Sequence, residues 1–371
     1  MGVFQVKRKI SQLTKKEEET AVEIYERSLF INALDACWPR TINRAYLLEW
    51  KKAGLDAANF GSIVMPWMTV HLPEFWQRLA SFELTLAENS DIAVKVTTAD
   101  GVKRAYKEGK IACIFGTQSP ELIEKDLNLL RSAYDMGFRV FGLAYQHRNF
   151  VADGCGEKAN GGLSLFGENV VKELNKLGML IDLSHVGVQS SLDAINLSKD
   201  PCMFSHSNPR IESTHNRTLI DEEMLALAEK GGAICLSAYS PFFKGKGEYA
   251  GRRAYDATVE DFMDHIDYVA KLVGIDHVGI GIDYAILTRA DMIYGMWERY
   301  PDLTGQLYDP TLQPPSEDEA GKCLRRVEGL RWQSDYVNVA KGMVARGYSE
   351  QEIQKVLGLN VLRLFEKVFR E

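Results

Sequence analysis

Short apolar runs rich in β-branched and aromatic residues recur eight times along the chain, at 28–35, 59–67, 111–118, 139–145, 179–185, 201–207, 232–239 and 277–284. Most are apolar at successive positions rather than alternating, the pattern of strands buried on both faces. Helical signals stand between several of them. In residues 119–137, Ser119 is placed to cap a helix and Pro120 to occupy its first turn. Leu122, Ile123, Leu127 and Leu130 share one face, and Gly137 stops the run. The last segment opens on a Ser349-x-x-Glu352 capping box and carries an apolar stripe to the C-terminus.

Strands that alternate with helices eight times predict an α/β fold with a parallel sheet closed into a (β/α)₈ barrel of the TIM type. An open dinucleotide-binding sheet would need a glycine-rich turn after its first strand, and none is present. The late Gly-Ile-Gly-Ile-Asp of 279–283 lacks that context, so its glycines are read as easing close packing. The pattern predicts one barrel domain over residues 1–371, with an N-terminal helical segment (1–27) and an insertion at about 285–327 that is too long for an ordinary connection. Its Trp297, Tyr300, Tyr308 and prolines suit a wall beside the barrel mouth or a subunit contact, with a homodimer as the expected assembly.

Composition changes this picture little but excludes several partners. With 371 residues, 46% of them hydrophobic, the chain can bury a full core. A net charge of −7, without a long Lys/Arg cluster, excludes a nucleic-acid tracking surface. No apolar stretch has the length of a secretory signal or a membrane span. The six cysteines are scattered, without a C-x-x-C pair, which fits reduced thiols and a cytoplasmic setting.

In such a barrel the C-terminal strand ends converge on one mouth. The polar residues there are Asp35, Gln118, Tyr145, His185, His206, Tyr239 and Asp283. Two Ser-His pairs, Ser184-His185 and Ser205-His206, occupy matching positions on the fifth and sixth runs. Each imidazole could be a core residue bonded to a carbonyl, but the matched placement favours a shared divalent metal, zinc above others. A carboxylate at the end of an apolar strand, as Asp283 is, requires a metal, a cation or a proton in transit. Arg217 could fork onto a substrate carboxylate or pair with Asp221 or Glu222 on the adjoining helix. Tyr145 and Tyr239 could be ordinary strand aromatics or touch substrate. His147 and His215, in loops, read as surface residues or as supports behind the site.

The stretches ELNKLGMLIDLSHVG, PCMFSHSNPR, HNRTLIDEEMLALAEKGGAI, HVGIGIDY and GLNVLRLFEKVF resemble, in order, the membrane (renal-type) dipeptidases, metal-dependent hydrolases of the amidohydrolase-like barrel group. The resemblance covers nearly the whole chain from about residue 28. It implies that His185 and His206 hold one metal of the family's pair and that Arg217 holds the substrate carboxylate. Asp283 shuttles a proton on the same basis, and Tyr239 lies on the substrate side, where Asn208 is also assigned. The other half of the family's site is altered. Where its first strand ends in His-x-Asp, this chain reads Ala33-Leu34-Asp35. Its bridging glutamate is replaced by neutral Gln118, and its fourth-strand histidine by Tyr145.

These residues lead to an expected metal-dependent hydrolase that cleaves an amide-type bond in a small carboxylate-bearing substrate, a dipeptide by default. One ion per chain is expected, on His185 and His206 with Gln118 or Asp35 completing the shell. Asp283 would move the proton, and Tyr145 would offer its hydroxyl to the oxyanion. The competing readings are a small-molecule-binding homologue with impaired catalysis, and a metal-dependent hydrolase or lyase acting on a non-peptide substrate.

Overall fold

The computed structural model describes residues 7–36, 42–61, 63, 72–244, 257–283 and 326–370. Nine strands form one all-parallel sheet: β1 (Ile31–Asp35), β2 (Ala57–Phe60), β3 (Ala93–Lys95), β4 (Ile111–Thr117), β5 (Phe138–Gly142), β6 (Leu180–Asp182), β7 (Met203–Phe204), β8 (Ala233–Leu236) and β9 (Val278–Ile280). Eight of them run β1-β2-β4-β5-β6-β7-β8-β9 around a nearly closed barrel, with helices between most neighbours.

The seam between β9 and β1 is closed by a side chain and one main-chain bond. Asn32 Oδ1 accepts from Ile282 N (2.8 Å), and Asp283 N donates to Leu34 O (3.1 Å). Ile31, Ala33, Ala57, Ala112, Ile114, Val140, Leu180, Met203, Ala233 and Cys235 fill the barrel as one apolar cluster. The C-terminal helix Asn360–Val368 adds Val361, Leu364 and Phe365 to it and plugs the end opposite the mouth. A π-turn at Lys355–Leu359 leads into that helix, and there Gly358 passes so close under β1 that a Cβ would lie 2.2 Å from Leu29 O.

Three expectations change. β3 was not anticipated: three residues long, it uses the first half of the β4 edge, Ala93 to Lys95 against Ile111 to Cys113, before β5 takes over at Phe115. The run expected at 59–67 forms β2 at Ala57–Phe60 instead, and residues 62 and 64–67 lie outside those described. The helix expected after Ser119 is divided into a 3₁₀ turn (Glu121–Ile123) and a helix (Asn128–Asp135), because Glu124 turns at φ 43° and Asp126 Oδ1 accepts from Asn128 N (2.9 Å) just ahead of the second piece. Gly137 (φ 96°) ends it as expected, and the Ser349–Glu352 capping box is formed.

Residues 284–325, most of the expected insertion, lie outside the described residues; where the chain resumes, Arg326 bridges to Tyr239 just past β8. In the N-terminal segment, Lys15–Arg27 is helical and capped by Thr14 and Glu17. No helix among the described residues is long and apolar enough to cross a membrane.

Candidate active site

β6 and β7 are too short to carry their histidines rigidly by main-chain pairing alone, and a buried carboxylate joins their ends. Asp182 Oδ1 accepts from Ser184 N (3.0 Å) and Ser205 N (3.1 Å), and Ser205 Oγ is 2.5 Å from Asp182 Oδ2. His206 N donates to Ser184 Oγ (3.0 Å), and Ser205 Oγ meets His206 Nδ1 at 2.7 Å. His185 is held in the left-handed region (φ 68°), its carbonyl accepting from Cys155 N at 2.8 Å. A non-glycine residue stays there only where its surroundings fix it, as is common at functional sites. The outcome is that His185 Nε2 and His206 Nε2 face each other at 2.9 Å. Tyr145 lies flat against the His185 ring, centroids 3.8 Å apart.

Burial, then the nearby Arg217 charge, pushes both imidazoles well below their ordinary value of 6.5, so both are neutral at pH 7 with a lone pair available for a metal. Arg217 is itself buried. Its guanidinium donates to Ser207 Oγ (3.0 Å) and His206 O (2.9 Å), and it makes no ion pair among the described residues. The pairing with Asp221 allowed by the sequence is not formed; Asp221 accepts from Tyr268 instead (2.7 Å).

Asp283 reaches the site because Gly281 lets β9 approach β7, where any Cβ would fall 1.7 Å from Ser205 O. Its backbone is also left-handed (φ 53°). Burial raises its carboxyl from 3.8 to about 7, with Arg217 opposing and Asp182 adding to the rise. Burial and Asp283 together push the Tyr145 phenol upward, which keeps it a protonated donor.

Asp35 is buried and receives the Tyr46 hydroxyl on both oxygens (2.8 and 2.7 Å). Gln118 is buried with its Nε2 unpartnered. Asn208, assigned to substrate, is committed to the scaffold: its Nδ2 donates to Ser237 O (3.1 Å) and His265 Nδ1 (3.2 Å), and its Oδ1 accepts from Ser237 N (2.9 Å). Both Nδ2 hydrogens are thus taken up by the scaffold, which leaves one lone pair of Oδ1 for a ligand. Tyr239 packs on Phe242 and is half-buried. His147 is exposed, whereas His215 is buried and accepts from Arg217 N at 3.1 Å. Asp182 and the two serines were not singled out as working residues, although a charge inside the run Met-Leu-Ile-Asp-Leu was a legible signal.

Whether these residues suit a divalent ion turns on the imidazole pair. Two nitrogens 2.9 Å apart can share an ion about 2.05 Å from each at an N–metal–N angle of about 90°. Neutral imidazoles have the right chemistry; the atom of Gln118 left unpartnered among the described residues is Nε2, a donor that does not ligate a cation. Among the described residues no three His, Cys, Asp or Glu side chains gather around one point. Among the described residues the two imidazoles are the neutral nitrogen donors that face one point.

The sequence pattern of the membrane dipeptidases (peptidase family M19) matches residues 51–313. The chain belongs to that family. Dipeptidase tcpJ of Claviceps purpurea is 30% identical over 272 residues, 73% of this chain and 54% of that protein. An uncharacterized dipeptidase of Schizosaccharomyces pombe, C965.12, is 26% identical over 283 residues, 75% and 58% of the two chains. The match thus spans somewhat over half the length of these curated relatives. Among solved structures, an amidohydrolase from Pseudomonas aeruginosa superposes with a TM-score of 0.78 at 26% identity, covering 95% of this chain and 99% of that one. The probable dipeptidase PvdM of the same organism shares the fold (TM-score 0.78, 22% identity, 96% and 99% covered). A dipeptidase described as a metallopeptidase of family M19 shares the fold as well (TM-score 0.73, 19% identity, 92% and 99% of the two chains covered).

Proposed function

We propose that the chain is a metal-dependent hydrolase of a small carboxylate-bearing amide, a dipeptide by default, working with a single divalent ion, zinc above others. The observation that carries this reading is the pair of neutral imidazole nitrogens 2.9 Å apart beside a buried guanidinium that makes no ion pair among the described residues. A buried unpaired charge is costly, and a substrate carboxylate would relieve that cost. Its two oxygens suit the planar fork.

His185 and His206 would hold the ion, which when bound supplies a Lewis acid and an acidified water. Asp283, with its carboxyl near pH 7, accepts a proton from the attacking water and returns it to the leaving amine as the C–N bond breaks. Tyr145, kept protonated, donates its hydroxyl to the oxygen that gains charge. Tyr239 borders the substrate side, next to the point where the insertion rejoins the barrel.

A second reading has an observation of its own. Ala33, Gln118 and the lack, among the described residues, of a third His, Cys, Asp or Glu beside the imidazole pair favour a barrel that binds the same small carboxylates without turnover. Dipeptides and their C-terminal amides, assayed before and after chelation and alongside metal analysis, separate the two. Chelator-sensitive release of an amino acid from the free-carboxylate substrates supports hydrolysis. Binding without release supports the second reading.

A further inference from the structure

We propose that Asp182 and Ser205 form a positioning relay that fixes the tautomer of His206, leaving its Nε2 bare toward His185. The inference rests on His206 Nε2 being the working atom of the proposed site.

Every proton in the relay is directed. The Asp182 carboxylate takes two backbone N–H groups on Oδ1, so Oδ2 is the oxygen left for Ser205, 2.5 Å away. Burial raises the Asp182 carboxyl, while the hydrogen bonds from Ser205 and Ser184 oppose that rise and favour the ionised form; an ionised carboxylate only accepts, so the Ser205 hydroxyl donates to it. Ser184 Oγ accepts the His206 backbone N–H, which turns the Ser184 hydroxyl hydrogen toward Ser205 Oγ at 3.3 Å. Ser205 Oγ has thus given its only hydrogen to Asp182, and it can meet His206 Nδ1 at 2.7 Å only by accepting. The imidazole hydrogen is therefore on Nδ1 and the lone pair on Nε2. Reversing the order would set a serine lone pair against a carboxylate oxygen at 2.5 Å. A partner on the far ring nitrogen is how proteins generally set the tautomer of a histidine ligand.

The same geometry says what reverses the relay. In Asp182→Asn the two backbone N–H donors still require an oxygen at the Oδ1 position, which places the amide NH₂ toward Ser205. The serine then accepts from the amide and donates to His206 Nδ1, and the imidazole hydrogen moves to Nε2. His206 now donates to His185 Nε2 where it had accepted, and the working lone pair is lost. In Ser205→Ala the Nδ1 partner is absent, whereas Ser205→Thr keeps the hydroxyl.

The test is nitrogen NMR of metal-free protein labelled at histidine, with the His206 resonances assigned by their loss in His206→Gln, together with zinc titration of each variant. The wild type and Ser205→Thr are expected to show a protonated Nδ1 and an unprotonated Nε2. Asp182→Asn should exchange the two, and Ser205→Ala should lose the single tautomer. Zinc affinity should fall about 10–100-fold in Ser205→Ala and recover in Ser205→Thr. A wild-type His206 protonated at Nε2, or a Ser205→Ala spectrum unchanged at His206, overturns the relay. Should Asp182→Asn fail to fold, the Ser205 pair still decides. Zinc that binds to no variant at all, with the tautomers as expected, would sink the metal reading and leave the relay standing.

Discussion

The two sides of the barrel mouth are built to different standards. On the β6–β7 side Asp182, Ser184, Ser205 and both histidines form one network in which each serine and carboxylate has its partners, although His185 Nδ1 is left without one among the described residues. On the β1–β4 side Asn59 Oδ1 and Gln118 Nε2 are buried without a partner, and Ala33 stands where the resemblance to the family leads one to expect a ligand. Buried polar networks are rigid when satisfied and costly when incomplete. One side can therefore hold ligand atoms within a few tenths of an ångström, while the other offers a neutral amide and a carboxylate already bonded to Tyr46.

The largest expected effect sets these sides against each other directly. His206→Ala should abolish both retention of one metal equivalent after dialysis and chelator-sensitive activity. Asp35→Asn should leave the retained equivalent in place. Metal analysis of the two variants side by side checks this, and loss of metal in both would erase the distinction.

Next comes Arg217→Lys. An ammonium cannot reproduce the fork or reach Ser207 Oγ and His206 O together, so KM for substrates with a free carboxylate should rise about 10–100-fold. Substrates whose carboxylate is amidated should be affected far less. Equal losses on both would mean that Arg217 serves mainly as a prop beneath His206.

The sequence made the satisfied side readable and the depleted side only partly so. A Ser-His pair at the end of an apolar run is a local signal, and it recurs twice because β6 and β7 do the same job. The barrel was readable for a similar reason, since six of its eight strands fall wholly inside the apolar runs and the other two overlap one. What escaped depends on partners distant in sequence. β3 is three residues long and forms by taking half an edge of β4. Asn208 reads as a substrate residue, and its amide NH₂ is found between Ser237 and His265. Glu124 breaks a well-patterned helix by a backbone turn with no glycine to announce it. The loss at Ala33 was visible, but whether the barrel closes over it depends on packing.

Asp283 sits where the two sides meet, and its protonation gives a smaller effect with a defined sign. Its carboxyl is raised from 3.8 to about 7, so the folded protein holds a proton that the unfolded chain has already released. The stability this contributes is present in full below pH 3.8 and is lost as pH rises toward about 7. Metal-free wild type should therefore lose stability across that window relative to Asp283→Asn, and the gap should stop widening above it. Denaturant titrations at several pH values measure this. A gap independent of pH would mean that the carboxylate is already paired in the folded protein.

The smallest effect probes the β1 side alone. Tyr46 is buried, its ring edge-on to Trp50 at 6.3 Å, and its hydroxyl donates to both oxygens of Asp35. Tyr46→Phe keeps that ring packing and removes only the donor, so a buried carboxylate loses one hydrogen bond at a cost of roughly 2 kcal/mol. A lower Tm with metal content unchanged is expected if Asp35 is part of the scaffold. If the variant instead gains a second metal equivalent, the hydroxyl was all that kept Asp35 from acting as a ligand. The β1 side would then be a masked metal position, and its difference from β6–β7 would lie in a single hydrogen-bond donor.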